Sequence, residues 1–274
     1  MRCLNLAAQW LALGGCAELL GDLRIEFVRR RANELGVAVR GSSSGGAVLL
    51  VDVYDEVRRE HMAASHNWQI RVLVDDLGRG PFYSYDAVWN PNAYGEAAMY
   101  RAFTGTVLAG EDCVPLRDGL PSWDAAAQGG AVSFGGGAAS ALLADAIAQL
   151  PRLTGEARGW SAVDPVPCGW RRARADSPWT DLQHAKWLVT AAGSMLWEAA
   201  AVGIPVLTCV SFEHETLVAQ WVRRHGAPVL DLREEEDPAA LASALAAGVQ
   251  RARALPRISA GARNVAARLW SLSQ

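Results

Sequence analysis

Two kinds of apolar pattern alternate along the chain. Short, nearly continuous apolar runs bounded by glycine, proline or acidic residues read as strands buried on both faces, as in a parallel sheet. Such runs cover residues 47–53, 70–74, 85–89, 106–108, 131–134, 187–191, 206–210 and 228–232, with weaker ones at 17–20, 37–39 and around 162–163. Between them, apolar residues at helical spacing predict helices over 4–13, 25–35, 56–64, 138–150, 180–185, 195–202, 216–225, 238–254 and 259–269. Strand–helix alternation of this kind makes the fold class α/β with parallel sheets. An opening helix is unusual for a doubly wound fold, which ordinarily begins on a central strand. Residues 41–46, GSSSGG, read as a flexible loop. The mixed stretch 117–127, with Gly119 and Pro121, places a domain boundary. The expected domains are 1–124 and 125–274, with the last helix packing back on the first.

Composition narrows the classes. The chain of 274 residues is 51% hydrophobic and 20% charged, an ordinary globular balance with enough length for a substantial core. A net charge of −3 argues against a nucleic acid as partner, and the basic cluster Arg29-Arg30-Arg31 reads as a solvated helix face. The five cysteines, Cys3, Cys16, Cys113, Cys168 and Cys209, are scattered and form no CxxC pair. They indicate neither a zinc site nor a disulfide framework, so reduced thiols and a cytoplasmic location are expected. No apolar run approaches the ~20 residues of a membrane span. No metal or cofactor is called for. The 11 tryptophans are unusual, but composition assigns them no function.

Candidate chemistry sits where strands end. The strand over 47–53 runs into Asp52-Val53-Tyr54, and that over 70–74 into Asp75-Asp76; open α/β sheets bind ligands at such carboxyl ends. The strand at 131–134 leads into Gly135-Gly136-Gly137 and then a helix, a template for backbone N–H groups to approach a phosphate. It is neither GxGxxG nor a Walker loop. After the strand at 187–191, Gly193-Ser194 opens another helix, whose free N–H groups and dipole suit an anion. With Ser194 as N-cap, a capping-box acid belongs at Trp197, so Glu198 lacks that role. One turn on from Ser194, Glu198 can accept hydrogen bonds from a sugar diol; the plainer reading is an acid favourable to the helix dipole.

Several segments, in order, resemble the PseG-type UDP-sugar hydrolases. Arg2-Cys3-Leu4-Asn5-Leu6-Ala7 is similar to that family's first helix, Val51-Asp52-Val53-Tyr54 to its Val-Asp-x-Tyr strand end, and Asp75-Asp76-Leu77 to its Asp-Asp turn. Asp86 and Asn90 match an Asp-x-x-x-Asn strand, and Leu108-Ala109-Gly110 with Leu116-Arg117 a Leu-Gly…Leu-Arg segment. Ser133-Phe134-Gly135-Gly136, Ala192-Gly193-Ser194, Trp197-Glu198 and Gly203-Ile204-Pro205 match its nucleotide half. The resemblance implies a GT-B architecture, two Rossmann-like halves facing a cleft, and removal of UDP from a di-N-acetylated trideoxy sugar.

In this reading Gly135, Gly136, Gly137, Gly193, Ser194, Glu198 and Glu213 bind the nucleotide, and Asp52, Tyr54, Asp75 and Asn90 line the sugar side. Three departures stand out. The family's Gly-x-Gly-His loop and first strand, which hold its water-activating histidine, do not precede Arg2-Cys3; its later Asn-Gln pair is replaced around Glu213-His214; and Gly137-Ala138 stands where Ser-Asp often follows its two glycines. Tyr54 and His214 are then the catalytic candidates, and His61 and His66, on or after a polar helix, read as solvated. Two other functions remain open, a GT-B glycosyltransferase using the same donor class and a non-catalytic nucleotide-sugar binder.

Overall fold

A computed structural model describes residues 1–20, 26–42, 45–64, 67–134, 140–174, 178–233 and 237–274. The chain forms two compact units, one of Met1–Asp118 with Ser259–Gln274, the other of Gly119–Ile258.

The first unit carries α1 (Arg2–Ala12), β1 (Glu18–Leu20), α2 (Glu26–Glu34), β2 (Ala38–Arg40), β3 (Gly45–Val51), α3 (Glu56–Ala64), β4 (Asn67–Val74), β5 (Ala87–Trp89) and β6 (Thr106–Leu108). The glycines at 45–46, expected in a loop, already belong to β3; they pair with Asn67 and Trp68 of β4. The strands β3-β4-β5-β6 form one parallel sheet in chain order, and β1 and β2 form a separate parallel pair. Arg29, Arg30 and Arg31 lie along α2 beside Glu26 and Glu34, a charge-laced surface.

The second unit carries β7 (Gly130–Ser133), α4 (Ala141–Thr154), β8 (Gly159–Ser161), β9 (Arg171–Arg172), α5 (Trp179–Leu182), β10 (Trp187–Ala191), α6 (Ser194–Val202), β11 (Val206–Val210), α7 (Thr216–Arg224), β12 (Val229–Asp231) and α8 (Pro238–Gln250). Helix α4 begins later than the pattern suggested, because the Ser140 hydroxyl caps it by accepting the Leu143 N–H at 3.2 Å. It also continues past Pro151 to Thr154, where Gly155 closes it in the left-handed conformation at φ 73°. Strand β9 has two residues, too few to show any periodicity.

The second sheet runs β9-β8-β7-β10-β11-β12, parallel throughout. Numbered within this unit, that is the order 3-2-1-4-5-6 of a dinucleotide-binding Rossmann sheet. Side chains alternate across it. Val132, Trp187, Val189, Leu207 and Cys209 pack into one core with Leu143, Ile147 and Leu150 of α4 and Leu241 and Leu245 of α8. Each fully buried aliphatic side chain of this kind contributes ~1.5–3 kcal/mol. Helix α6 packs on β10 and β11, and α7 on β11.

The last helix, α9 (Ala262–Leu272), returns to the first unit. Its Val265, Ala266 and Leu269 share a core with Leu6 of α1 and with Ile70, Val72, Val74 and Trp89. Trp10 and Trp270 meet edge to face, ring centroids 5.0 Å apart.

Candidate functional site

In the first unit the loops leaving β3, β4 and β5 bring their polar groups into one network. The guanidinium of Arg2 is its hub. It grips Asp52 with two bonds (Nε to Oδ2 at 2.9 Å, Nη2 to Oδ1 at 2.5 Å) and Asp76 through Nη1 (2.7 Å to Oδ1, 2.9 Å to Oδ2). Tyr54 donates its hydroxyl to Asp76 Oδ2 at 2.7 Å, Asn92 Nδ2 donates to Asp76 Oδ1 at 2.8 Å, and the Tyr94 hydroxyl donates to the Asp76 carbonyl at 2.5 Å. The Cys3 thiol donates to Asp52 Oδ2 at 3.2 Å.

The electrostatics follow from this packing. Burial opposes ionisation of Asp52, but the Arg2 hydrogen bonds and charge outweigh it and hold the carboxyl below its ordinary value. Burial opposes charge on Arg2 as well, and Asp52 and Asp76 more than offset it, so the guanidinium stays charged. Burial and then the nearby Asp76 push the Tyr54 phenol up to about 12. Tyr54 is therefore a hydrogen-bond donor at neutral pH; its ring stays largely exposed.

The sequence expected Asp75 and Asn90 to line the sugar side. Asp75 is a turn residue: its carboxylate accepts the backbone N–H of Gly78 at 2.7 Å and of Leu77 at 3.4 Å. Burial raises its carboxyl above the ordinary value. Asp76, the second acid of the pair, is the one that meets Arg2 and Tyr54. Asn90 is fully buried; its Nδ2 donates to the Tyr100 hydroxyl at 3.0 Å, and its Oδ1 accepts from the backbone N–H and Nδ2 of Asn92. It therefore braces Asn92. Arg2, Asn92 and Tyr94 were not singled out as site residues, because only the fold brings positions so far apart in the chain together.

In the second unit the strand order reverses between β7 and β10, the position where open α/β sheets bind ligands. Both turns expected to hold an anion leave these two strands. The Gly135–Gly137 turn lies outside the described residues. The other is described in full. Gly193, not Ser194, is the N-cap of α6, and Ser194 is the first helical residue. Leu196 N–H donates to the Gly193 carbonyl at 3.0 Å, while the N–H groups of Ser194 and Met195 have no carbonyl within the helix to bond. Gly193 has extended backbone (φ −138°), and a Cβ there meets none of the described residues within 4 Å. Neither conformation nor packing demands glycine at 193, unlike Gly203, which ends the same helix at φ 89°.

Glu198 is 4% exposed, and its Oε2 accepts the Trp179 indole N–H at 2.7 Å. The adjacent Trp197 packs edge to face on Trp221 of α7, centroids 5.2 Å apart. Glu213 and His214 are exposed on a 3₁₀ turn after β11, where the His214 ring stacks on Phe212 at 5.6 Å. The acid that organises this turn is Glu215, which the sequence did not single out: buried, it accepts the N–H of Ser211 at 2.6 Å and of Phe212 at 3.1 Å. A hydroxyl row also crosses the sheet here. Ser133, Thr190 and Thr208 are neighbours in register on β7, β10 and β11, pointing away from the α4–α8 core. The hydroxyls of Thr190 and Thr208 are buried without a hydrogen-bond partner among the described residues.

His61 is exposed on α3, and His66 lies outside the described residues. All five cysteines are free. Among the described residues, no helix is long and apolar enough to cross a membrane, and no cluster of His, Cys, Asp and Glu is arranged to hold a metal ion.

The chain matches no protein-family model. No curated protein matches it either. Solved structures do resemble it in fold. MurG of Acinetobacter baumannii superposes with a TM-score of 0.62 at 10% identity, covering 99% of this chain and 95% of that one. SsfS6, a glycosyltransferase of Streptomyces sp. SF2575 solved with thymidine diphosphate, gives 0.56 at 13% identity, over 99% and 95% of the two chains. The spinosyn rhamnosyltransferase SpnG, solved with spinosyn aglycone, gives 0.51 at 16% identity, over 99% and 76%. The fold is thus GT-B-like, shared with glycosyltransferases, and the likeness extends along nearly the whole chain. At these identities it defines architecture and leaves the reaction to the site.

Proposed function

We propose that this chain is a glycosyltransferase of GT-B fold that takes a nucleotide-sugar donor. The observation that carries the reading is the sheet order of the second unit, with both candidate anion turns leaving the two strands that flank its switch point. In this reading the first N–H groups of α6 and the Gly135–Gly137 turn bind the diphosphate. The open space beside Gly193 is where an oxygen of the phosphate approaches the backbone. Glu198 accepts hydrogen bonds from the ribose. Glu213 and His214, exposed on the turn after β11, serve the donor side. In the first unit Asp52, Tyr54 and Asp76 serve the sugar or acceptor, with the Tyr54 oxygen accepting a hydrogen bond while its proton is donated to Asp76. SsfS6, solved with thymidine diphosphate, makes TDP donors the first to try, beside the UDP donors that the PseG-type resemblance implies.

The glycine offers a direct test. Gly193→Ala should leave the unfolding midpoint unchanged and weaken UDP or TDP binding about tenfold by titration calorimetry, the ~1.4 kcal/mol of a lost or displaced phosphate hydrogen bond. Unchanged affinity for both nucleotides in the folded variant rules out this phosphate site.

A second reading is hydrolysis of a UDP-sugar, as in the PseG-type family. One observation favours it: the segments resembling that family around Arg2, Asp52-Val53-Tyr54 and Asp75-Asp76 meet in a single network. Incubation with UDP- and TDP-sugars separates the two. Turnover that depends on an added acceptor supports transfer, whereas free sugar released into water without acceptor supports hydrolysis. Saturable binding with no turnover under either condition points to a non-catalytic binder.

A further inference from the structure

Three tryptophan N–H groups of this protein bond the backbone. Trp89, Trp123 and Trp170 each donate to a backbone carbonyl, of Cys113, Ala185 and Glu156. Trp179 differs. Its indole N–H goes to a side-chain carboxylate, that of Glu198, at 2.7 Å, and both residues are 4% exposed. The two come from helices on either side of β10, Trp179 opening α5 and Glu198 lying one turn into α6.

We propose that Trp179 is a positioning residue for Glu198, fixing its carboxylate in the orientation that receives the ribose hydroxyls of the donor nucleotide. The inference rests on the reading of Glu198 as the ribose acceptor. A glutamate on a helix has several rotamers, and freezing them when a ligand arrives opposes binding by about 1–2 kcal/mol. Here that ordering is complete before the ligand comes. Trp197, next to Glu198 on α6, is itself packed edge to face on Trp221. The Trp179 N–H then selects the rotamer of the next side chain through a charge-assisted hydrogen bond. An indole suits this task because it is a donor only: it holds a carboxylate oxygen without competing for the hydroxyl protons the carboxylate is there to accept. Its body is held in turn by burial alongside Leu182 on α5.

The competing explanation is that the pair merely staples α5 to α6. Calorimetric affinities for UDP and for its 2′,3′-dideoxy analogue, which lacks the diol, distinguish the two. They are measured in the wild type, Trp179→Phe, Glu198→Ala and the double variant. Trp179→Phe should weaken UDP about tenfold and leave the dideoxy analogue unchanged, with no further loss of UDP affinity once Glu198 is alanine. Equal weakening of UDP and the analogue, or equal losses with and without Glu198, leaves only the staple. Weakening by Glu198→Ala but not by Trp179→Phe overturns the positioning role alone. If Glu198→Ala leaves UDP affinity unchanged, the ribose reading itself falls. Should Trp179→Phe not fold, replacing the indole by benzothiophene removes the N–H and keeps the ring's volume, and the same outcomes apply.

Discussion

The two units place polar groups at the carboxyl ends of parallel strands, yet they satisfy them differently. In the first unit the groups satisfy one another: Arg2 joins Asp52 to Asp76, while Tyr54 and Asn92 fill further acceptor sites of Asp76. In the second, the residues around the switch point leave capacity unused. Among the described residues, two strand hydroxyls have no partner, the start of α6 carries N–H groups with no carbonyl in the helix, and nothing lies within 4 Å of a Cβ at Gly193. A closed network mainly stabilises its own fold. Unspent donors beside a topological switch point are what an anionic ligand uses. A charged cluster at a strand end is thus not by itself the better sign of a binding site.

Arg2→Ala should have the largest effect on this contrast. It leaves the Asp52 and Asp76 carboxylates without their counter-charge, with side chains only 28% and 9% exposed, so a loss of about 3 kcal/mol is expected in denaturant unfolding. A loss below about 0.5 kcal/mol, the range of an exposed ion pair, would break the comparison. Acid titration should have the next largest effect, with opposite signs at two neighbouring acids. Asp52 is depressed in the fold, so its contribution is present above the unfolded value of about 3.9 and disappears as pH falls through the lower folded value. Asp75 is raised, so its protonated form favours the fold, and that contribution is lost as pH rises through its folded value. Thermal melts should find Asp52→Asn less stable than the wild type at pH 7 and equal to it in strong acid. Asp75→Asn, which can still accept from the turn's N–H groups, should gain on the wild type as pH rises. Parallel behaviour of the two variants refutes the assignment.

The smallest effect belongs to the second unit. Thr190→Val and Thr208→Val each replace an unpartnered buried hydroxyl by a methyl group of the same shape, and each should stabilise by about 1 kcal/mol. Destabilisation by either would mean that its hydroxyl is bonded in solution, with a buried water the obvious partner.

Local structure was legible in the pattern of residues. The apolar runs at 187–191 and 206–210 were legible as strands because a strand buried on both faces needs little but continuous apolar residues. Gly203-Ile204-Pro205 was legible as a break because glycine at positive φ and proline both end helices. The Gly193-Ser194 turn was visible too, displaced by one residue at its cap, since either residue type can fill that position. Tertiary structure decided the rest. It chose Asp76 over Asp75 as the carboxylate that meets Arg2, because two adjacent acids look alike until the strand's exit direction sends one into the turn and the other across the sheet. It buried Asn90, gave Glu198 the partner Trp179, and put β10 beside β7, making a switch point between two strands far apart in the chain. Strand order and side-chain pairing depend on contacts between residues far apart in the chain, and local periodicity carries no record of them.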